Sequence, residues 1–139
     1  MGYCLAMTES FEQALQIHLW ADVRAPGSAR QLVRQLDWLP EPAAEAAALV
    51  ASELVSNAVT HARPGDADSI GLRLSRAAER LMIEAELANL GSVEGRSRAS
   101  RTALGEHDAS EDGLGMAIVD RLADDWGILG GRGWASLRI

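Results

Sequence analysis

Residues 53–61 read Glu-Leu-Val-Ser-Asn-Ala-Val-Thr-His and lie in an alanine-rich run that extends over 43–63. In a helix, Glu53, Asn57 and His61 are about one turn apart and therefore line one side. Solvated helix faces favour long charged side chains, whereas Ser, Asn, Thr and His are poor helix formers. The stretch therefore predicts a long helix with a packed polar pocket on one side rather than a solvated face. The opposite side carries apolar residues for a core, namely Leu49, Val50, Leu54, Ala58 and Val59.

The spacing of Glu53 and Asn57 suits chemistry on a nucleotide that carries a magnesium ion. The carboxamide oxygen of an Asn is a good ligand for a hard cation such as Mg²⁺. A carboxylate one turn away can orient a nucleophile or remove its proton. The pair therefore indicates phosphoryl transfer.

A second motif occupies residues 112–119, which read Asp-Gly-Leu-Gly-Met-Ala-Ile-Val. Glycines at the start of a helix let the backbone N–H groups approach an anion, and the helix dipole favours negative charge there. A tight turn before the helix explains Gly113 and Gly115 equally well. The motif is not a Rossmann fingerprint, because no strand directly precedes it, and it is not a P-loop, because the chain has no Lys.

The rest of the chain alternates between strand and helix periodicity. We predict strands at 14–23, 70–74, 81–87, 128–129 and 134–139. Pro26-Gly27 is expected to end the first strand, and Ser28 is expected to cap a helix that continues to Pro40. A further helix is predicted from Gly113 to Ala123, ending near Trp126-Gly127. Helices segregated from mostly antiparallel strands predict a two-layer α+β sandwich.

Composition limits the class of protein. A chain of 139 residues suits one domain, which we place at 14–139 after a disordered extension at 1–13. The net charge of −7 argues against a nucleic-acid partner, since such proteins present a basic surface. With a single cysteine, no membrane-length apolar run and no secretory pattern at the start, we expect a cytoplasmic protein without membrane contact.

Taken together, the two motifs resemble the N box and the second glycine box of the GHKL superfamily, the Bergerat-fold ATPases. The stretches Glu-Leu-Val-Ser-Asn-Ala-Val-Thr-His-Ala, Gly-Leu-Gly-Met-Ala-Ile-Val and Leu-Ala-Asp-Asp-Trp-Gly look most like the anti-sigma-factor serine kinases of bacteria. The resemblance covers most of the chain after Ala14. It implies a mostly antiparallel mixed sheet covered on one face by three helices.

The resemblance also implies a set of site residues. Glu53 would be the catalytic base, and Asn57 would hold Mg²⁺ with the bound ATP. The segment at about 90–112, which lacks periodicity and is rich in Gly, Ser and Arg, would be the lid over the nucleotide. The residues expected to contact the nucleotide are Asn57, His61, Asn89, Gly113, Leu114, Gly115, Met116 and Arg132.

One residue of the family pattern is missing. The family places an Asp near the end of the strand before the lid, where it accepts a hydrogen bond from the adenine amino group. Strand parity assigns that position to Leu87, with Asn89 next on the same side. Leu cannot accept the bond, whereas Asn can, and an unpaired buried donor costs about 1–3 kcal/mol.

These residues lead to an expected function and two alternatives. The resemblance implies a regulator that binds ATP and Mg²⁺, sequesters a sigma factor and phosphorylates Ser or Thr on an antagonist protein, as a homodimer. The missing Asp favours the alternative of a degenerate family member that binds protein partners without nucleotide. The catalytic domain of a histidine kinase is a third reading, although nothing upstream of Ala14 resembles its phospho-accepting helix.

Overall fold

The computed structural model describes residues 13–61, 69–87, 113–129 and 132–139. Most of the N-terminal extension, the predicted lid and Asn89 lie outside these ranges. The strands and helices are β1 (Gln13–Trp20), α1 (Ala25–Arg34), α2 (Glu41–His61), β2 (Ser69–Ala77), β3 (Arg80–Leu87), α3 (Gly113–Leu122), β4 (Asp125–Leu129) and β5 (Arg132–Arg138).

The strands form one five-stranded sheet in the order β1-β2-β3-β5-β4, and each neighbouring pair is antiparallel. Of the helices in the described ranges, α1 and α3 both pack on α2, and α2 contacts β2, β3 and β5. The predicted fold class, an α+β two-layer sandwich, is confirmed.

The core lies between α2 and the face of the sheet that carries the apolar residues of each strand. In β3 every second residue from Leu81 to Leu87 is buried, as expected for a strand with one covered face. On the helix side, Ala47, Ala48 and Ala51 are fully buried, together with Ala29 of α1. Such small side chains let α1 and α2 approach each other closely.

The first helix begins and ends earlier than the sequence predicts. α1 starts at Ala25, and Pro26 lies in its first turn, so Ser28 is not the N-cap. Proline is favoured at this position because its missing N–H group has no partner within the helix in any case. The helix ends at Arg34 rather than Pro40. The N–H groups of Gln35 and Leu36 bond to the carbonyls three residues back, those of Leu32 and Val33, and such bonds tighten the last turn of a helix.

The prediction that α3 ends near Trp126-Gly127 was also wrong, because both residues belong to β4. Trp126 pairs with Ala135 and is only 4% exposed, so its ring contributes to the core. Its indole N–H donates a hydrogen bond of 2.9 Å to Oδ1 of Asp120 on α3. The buried ring and this bond therefore tie β4 to α3.

Gly133 of β5 is expected to be intolerant of a side chain. A Cβ there would lie 2.9 Å from Cδ1 of Ile128 and 3.2 Å from Cδ2 of Leu54, both of which are buried. We expect Gly133→Ala to lower the free energy of unfolding by about 1–3 kcal/mol through overpacking. Urea denaturation measures this loss.

The matched control is Gly71→Ala in β2. A Cβ at this position would meet the ring of exposed His18 at 3.5 Å, which is an ordinary contact. This variant should therefore be at least as stable as the wild type, since Gly weakens a strand interior. Equal losses for the two variants would contradict the overpacking argument.

No helix within the described ranges combines the length and the apolar character that crossing a membrane requires.

Candidate functional site

Two sequence motifs meet at one end of the sandwich, which we call the site end. Glu86 of β3 pairs with Arg132, the first residue of β5, so the end of β3 and the start of β5 lie together. A Cβ on Gly133 would touch Leu54, which places this part of α2 at the same end. The turn of the β4–β5 hairpin lies at the site end, and Asp125, where β4 starts, lies at the other end. Because α3 leads into Asp125, its own first residues lie at the site end.

The carboxylate of Glu53 lies directly against the first turn of α3. A Cβ on Gly115 would overlap Oε1 of Glu53 and would lie 3.3 Å from its Cδ. The structure thus brings together the two motifs that the sequence singled out. Gly115 also gains a role that the sequence did not indicate, since its missing side chain leaves the space that the carboxylate occupies.

The half-buried position of Glu53 changes its acidity. Burial raises the pKa of this carboxyl above its ordinary value, because the charged form loses solvation, and the nearby charge of Arg30 on α1 partly opposes the rise. A base with a raised pKa is better matched to proton transfer near neutral pH. Sequence reasoning missed Arg30, because only the packing of α1 on α2 brings it near Glu53.

Asn57 lies one turn after Glu53 and is 6% exposed. Its Oδ1 is buried and has no hydrogen-bond partner among the described residues. Such an unpaired acceptor costs about 1–3 kcal/mol, so it calls for an explanation such as a bound ion. An amide oxygen is a ligand type that Mg²⁺ accepts, so this residue fits the predicted metal role.

The other described residues that are predicted to contact the nucleotide lie at or near the ends of α2, α3 and β5. His61 is the last residue of α2, and the predicted end of this helix, Arg63, lies outside the described residues. Gly113 and Leu114 are the first two residues of α3, where the sequence predicts that this helix begins. Met116 is 4% exposed and belongs to the core, which leaves its backbone rather than its side chain for a nucleotide. Arg132 is exposed at the site end.

Leu87 is the residue that strand parity assigns to the position of the missing Asp. It is the last residue of β3, is 7% exposed and faces the helices together with Leu81, Ile83 and Ala85. The parity argument is therefore confirmed for the side of the sheet that Leu87 faces, whereas its equivalence to the missing Asp stays a prediction. Its side chain is apolar, so it offers no acceptor to a base, and the role predicted for Asn89 stays a prediction.

A separate depression of about 290 Å³ lies on the other face of the sheet. Gly71 lines it together with His18 and Glu86, the residues that pair with Gly71 on the two neighbouring strands. Because strand residues alternate between faces, this depression is separated by the sheet from Glu53 and Asn57. Six of its lining residues, Gln16, His18, Gly71, Arg73, Glu84 and Glu86, share this face of the sheet, and Leu87, whose side chain faces the helices, lines it only where β3 ends.

Comparison with known proteins agrees with this arrangement. A family model described as the histidine kinase-like ATPase domain matches residues 19–137, which is most of the chain. A search of curated proteins found no match. The matched range includes α2 with Glu53 and Asn57 and α3 with Gly115. The chain therefore belongs to the histidine kinase-like ATPase domain family.

Proposed function

We propose that the protein binds ATP with Mg²⁺ at the site end and acts as an anti-sigma-factor-like regulator. In this role it sequesters a sigma factor and phosphorylates a Ser or Thr of an antagonist protein. The observation that carries the nucleotide part is the Glu53 carboxylate lying against Gly115, with the unpaired Oδ1 of Asn57 one turn away. Family membership supports ATP binding in general.

The proposed transfer assigns one task to each group. The hydroxyl oxygen of the acceptor attacks the γ-phosphorus of ATP, and Glu53 accepts the hydroxyl proton. The bond between that phosphorus and the bridging oxygen breaks, and the oxygen keeps the electron pair as ADP leaves. The amide oxygen of Asn57 would hold Mg²⁺, which offsets the phosphate charge, while the first N–H groups of α3 would bind the phosphates.

The regulatory part of the proposal rests on the sequence motifs. The stretches around Glu53, Gly115 and Trp126 resemble the anti-sigma-factor kinases most closely, and that resemblance supports a sigma factor and an antagonist as partners of a homodimer. Purified protein should retain a sigma factor in a binding assay and transfer phosphate to an antagonist. Failure in both assays would contradict this part, whatever the result for ATP.

Calorimetric titration with ATP and Mg²⁺ tests the nucleotide part. We expect binding in the micromolar range, and Asn57→Ala should weaken it at least about tenfold because the variant loses the metal ligand. Thr60→Ala is the matched control, since Thr60 is exposed on the same helix and donates its hydroxyl to the carbonyl of Ser56 at 2.9 Å. The control should bind as the wild type does.

The absence of binding up to millimolar ATP would contradict the kinase proposal. It would favour the second candidate, a nucleotide-independent interaction module, which is supported by the apolar Leu87 at the position that strand parity assigns to the missing Asp. ATP turnover that disappears in Glu53→Ala would exclude this second candidate.

A further inference from the structure

A side-chain hydrogen bond joins the second half of α3 to the sheet. The indole N–H of Trp126 in β4 donates to Oδ1 of Asp120 on α3 at 2.9 Å. The indole nitrogen can only donate, and a carboxylate oxygen is a strong acceptor, so the two groups suit each other. Trp126 is almost fully buried, so loss of this bond would leave a donor with little access to water.

The two ends of this bond differ in how firmly they are held. The backbone of Trp126 pairs with Ala135 of β5, and its ring belongs to the hydrophobic core. Asp120 lies instead on the exposed side of α3. The sheet therefore sets the position of the donor, and the bond draws the helix to that position.

The apolar contacts of α3 determine its position less sharply. Met116 and Val119 turn toward the core and are buried there. Burial of apolar surface has no preferred direction, whereas a hydrogen bond weakens steeply when its angle is bent. The bond between Asp120 and Trp126 therefore limits rotation and sliding of α3 in a way that the apolar contacts do not.

The position of α3 matters most at its first turn. Gly115 lies five residues before Asp120, which is about 7.5 Å along the helix axis. A Cβ on Gly115 would overlap Oε1 of Glu53, so the backbone of this turn approaches the carboxylate closely. A rotation or shift of α3 at Asp120 is carried along the continuous helix and changes this close approach.

We propose that Asp120 and Trp126 are positioning residues: the hydrogen bond between them fixes α3 against β4 and thereby holds Gly115 against the Glu53 carboxylate. The effect on phosphoryl transfer rests on the proposed function, whereas the placement of α3 does not. Both residues act through α3 and are assigned no contact with the nucleotide. Trp126 thus influences the site end although it lies next to Asp125, at the other end of β4.

The first test requires no activity and uses a double-mutant cycle followed by urea denaturation. Trp126→Phe keeps an aromatic ring in the core but removes the donor. The first turn of α3 can then withdraw from Glu53, so Gly115→Ala should raise the urea midpoint more in the Trp126→Phe background than in the wild type. Mutations at separated positions without such a link usually have additive effects.

Two controls separate the hydrogen bond from other changes. Ala117→Gly, on the exposed side of α3, should change the midpoint equally in both backgrounds. Asp120→Ala removes the acceptor and should show the same coupling to Gly115→Ala as Trp126→Phe does. Asp120→Asn keeps an acceptor oxygen, so its effect should add to that of Gly115→Ala.

The second test measures phosphoryl transfer in a single turnover at saturating ATP. A protein that is only less stable shows a smaller amplitude, whereas a displaced base lowers the rate constant itself. Asp120→Ala should lower this rate constant about tenfold, and Asp120→Asn should keep it within about twofold of the wild type. Arg34→Gln, which removes the ion pair with Glu45 between α1 and α2, is the control and should transfer normally.

Additive effects of Trp126→Phe and Gly115→Ala, or a normal rate constant in Asp120→Ala, would overturn the proposal. Coupling that is as strong in Asp120→Asn as in Asp120→Ala would also overturn it, because the hydrogen bond would not be the cause. If the cycle shows the expected coupling but the wild type does not bind ATP, the placement of α3 is supported and the proposed kinase function fails instead.

Discussion

Replacing Glu53 by Gln is expected to slow phosphoryl transfer by about 10²- to 10⁴-fold, the usual contribution of a general base. The amide has nearly the same shape as the carboxylate but cannot accept the proton of the attacking hydroxyl. ATP affinity should stay close to that of the wild type, since the proposed ligands for the metal and the phosphates are Asn57 and the start of α3. Transfer of labelled γ-phosphate to an antagonist protein, together with calorimetry, measures both quantities.

The same variant should be more stable than the wild type at neutral pH. Because burial raises the pKa of Glu53 in the folded protein, the folded state binds its proton more tightly than the unfolded chain does. The tighter proton binding stabilises the folded protein fully at a pH below the ordinary pKa of a Glu. This stabilisation is lost as the pH rises through the raised pKa of Glu53 in the folded protein. Glu53→Gln removes the burial of a charge and should gain stability at pH 7 to 8.

Urea denaturation from pH 4 to pH 8 measures the difference in free energy of unfolding between Glu53→Gln and the wild type. The advantage of Glu53→Gln should shrink as the pH falls toward 4, where the carboxyl is increasingly protonated in both states. A variant that is less stable than the wild type at pH 7.5 would contradict the assignment. Gain of stability with loss of activity is a common property of residues at functional sites.

The second large effect is expected from Gly115→Ala. The new Cβ would overlap the Glu53 carboxylate, so either that side chain turns away or the first turn of α3 moves. Either displacement should lower transfer by about 10²-fold, since catalysis depends on the position of the base. The free energy of unfolding should change little, because Ala is a better helix former than Gly by about 1 kcal/mol and offsets the crowding.

Ala117→Gly is the matched control for this variant. Ala117 is exposed on the same helix, so the reverse exchange should lower stability by about 1 kcal/mol and leave transfer unchanged. Combining Gly115→Ala with Glu53→Asp, which shortens the carboxylate by one methylene, should relieve the overlap and recover part of the rate. A normal transfer rate in Gly115→Ala alone would show that the close approach is not required.

Local periodicity explains which parts of this molecule could be predicted. The polar face of α2 follows from the four-residue spacing of Glu53 and Asn57, and the parity of β3 correctly placed Leu87 on the side that faces the helices. Both patterns depend only on the geometry of a single element. The α+β class follows in the same way from the order of such elements.

The features that the sequence did not indicate depend on contacts between elements. Trp126 looked like the end of a helix, and only its pairing with Ala135 of β5 shows that it belongs to a strand. The nearness of Arg30 to Glu53 follows from the packing of α1 on α2, and the space at Gly115 follows from the approach of α3. None of these relations leaves a periodic signal in the chain.

The contact between Glu53 and Gly115 also has an evolutionary consequence. Two positions far apart in the gene are tied to one another, since a side chain gained at 115 is tolerated only if the group at 53 becomes shorter or withdraws. Descendants that abandon the reaction are released from this constraint at both positions together. A relative that has gained a side chain at 115 and lost the carboxylate at 53 would therefore belong to a lineage that has given up the chemistry while keeping the fold.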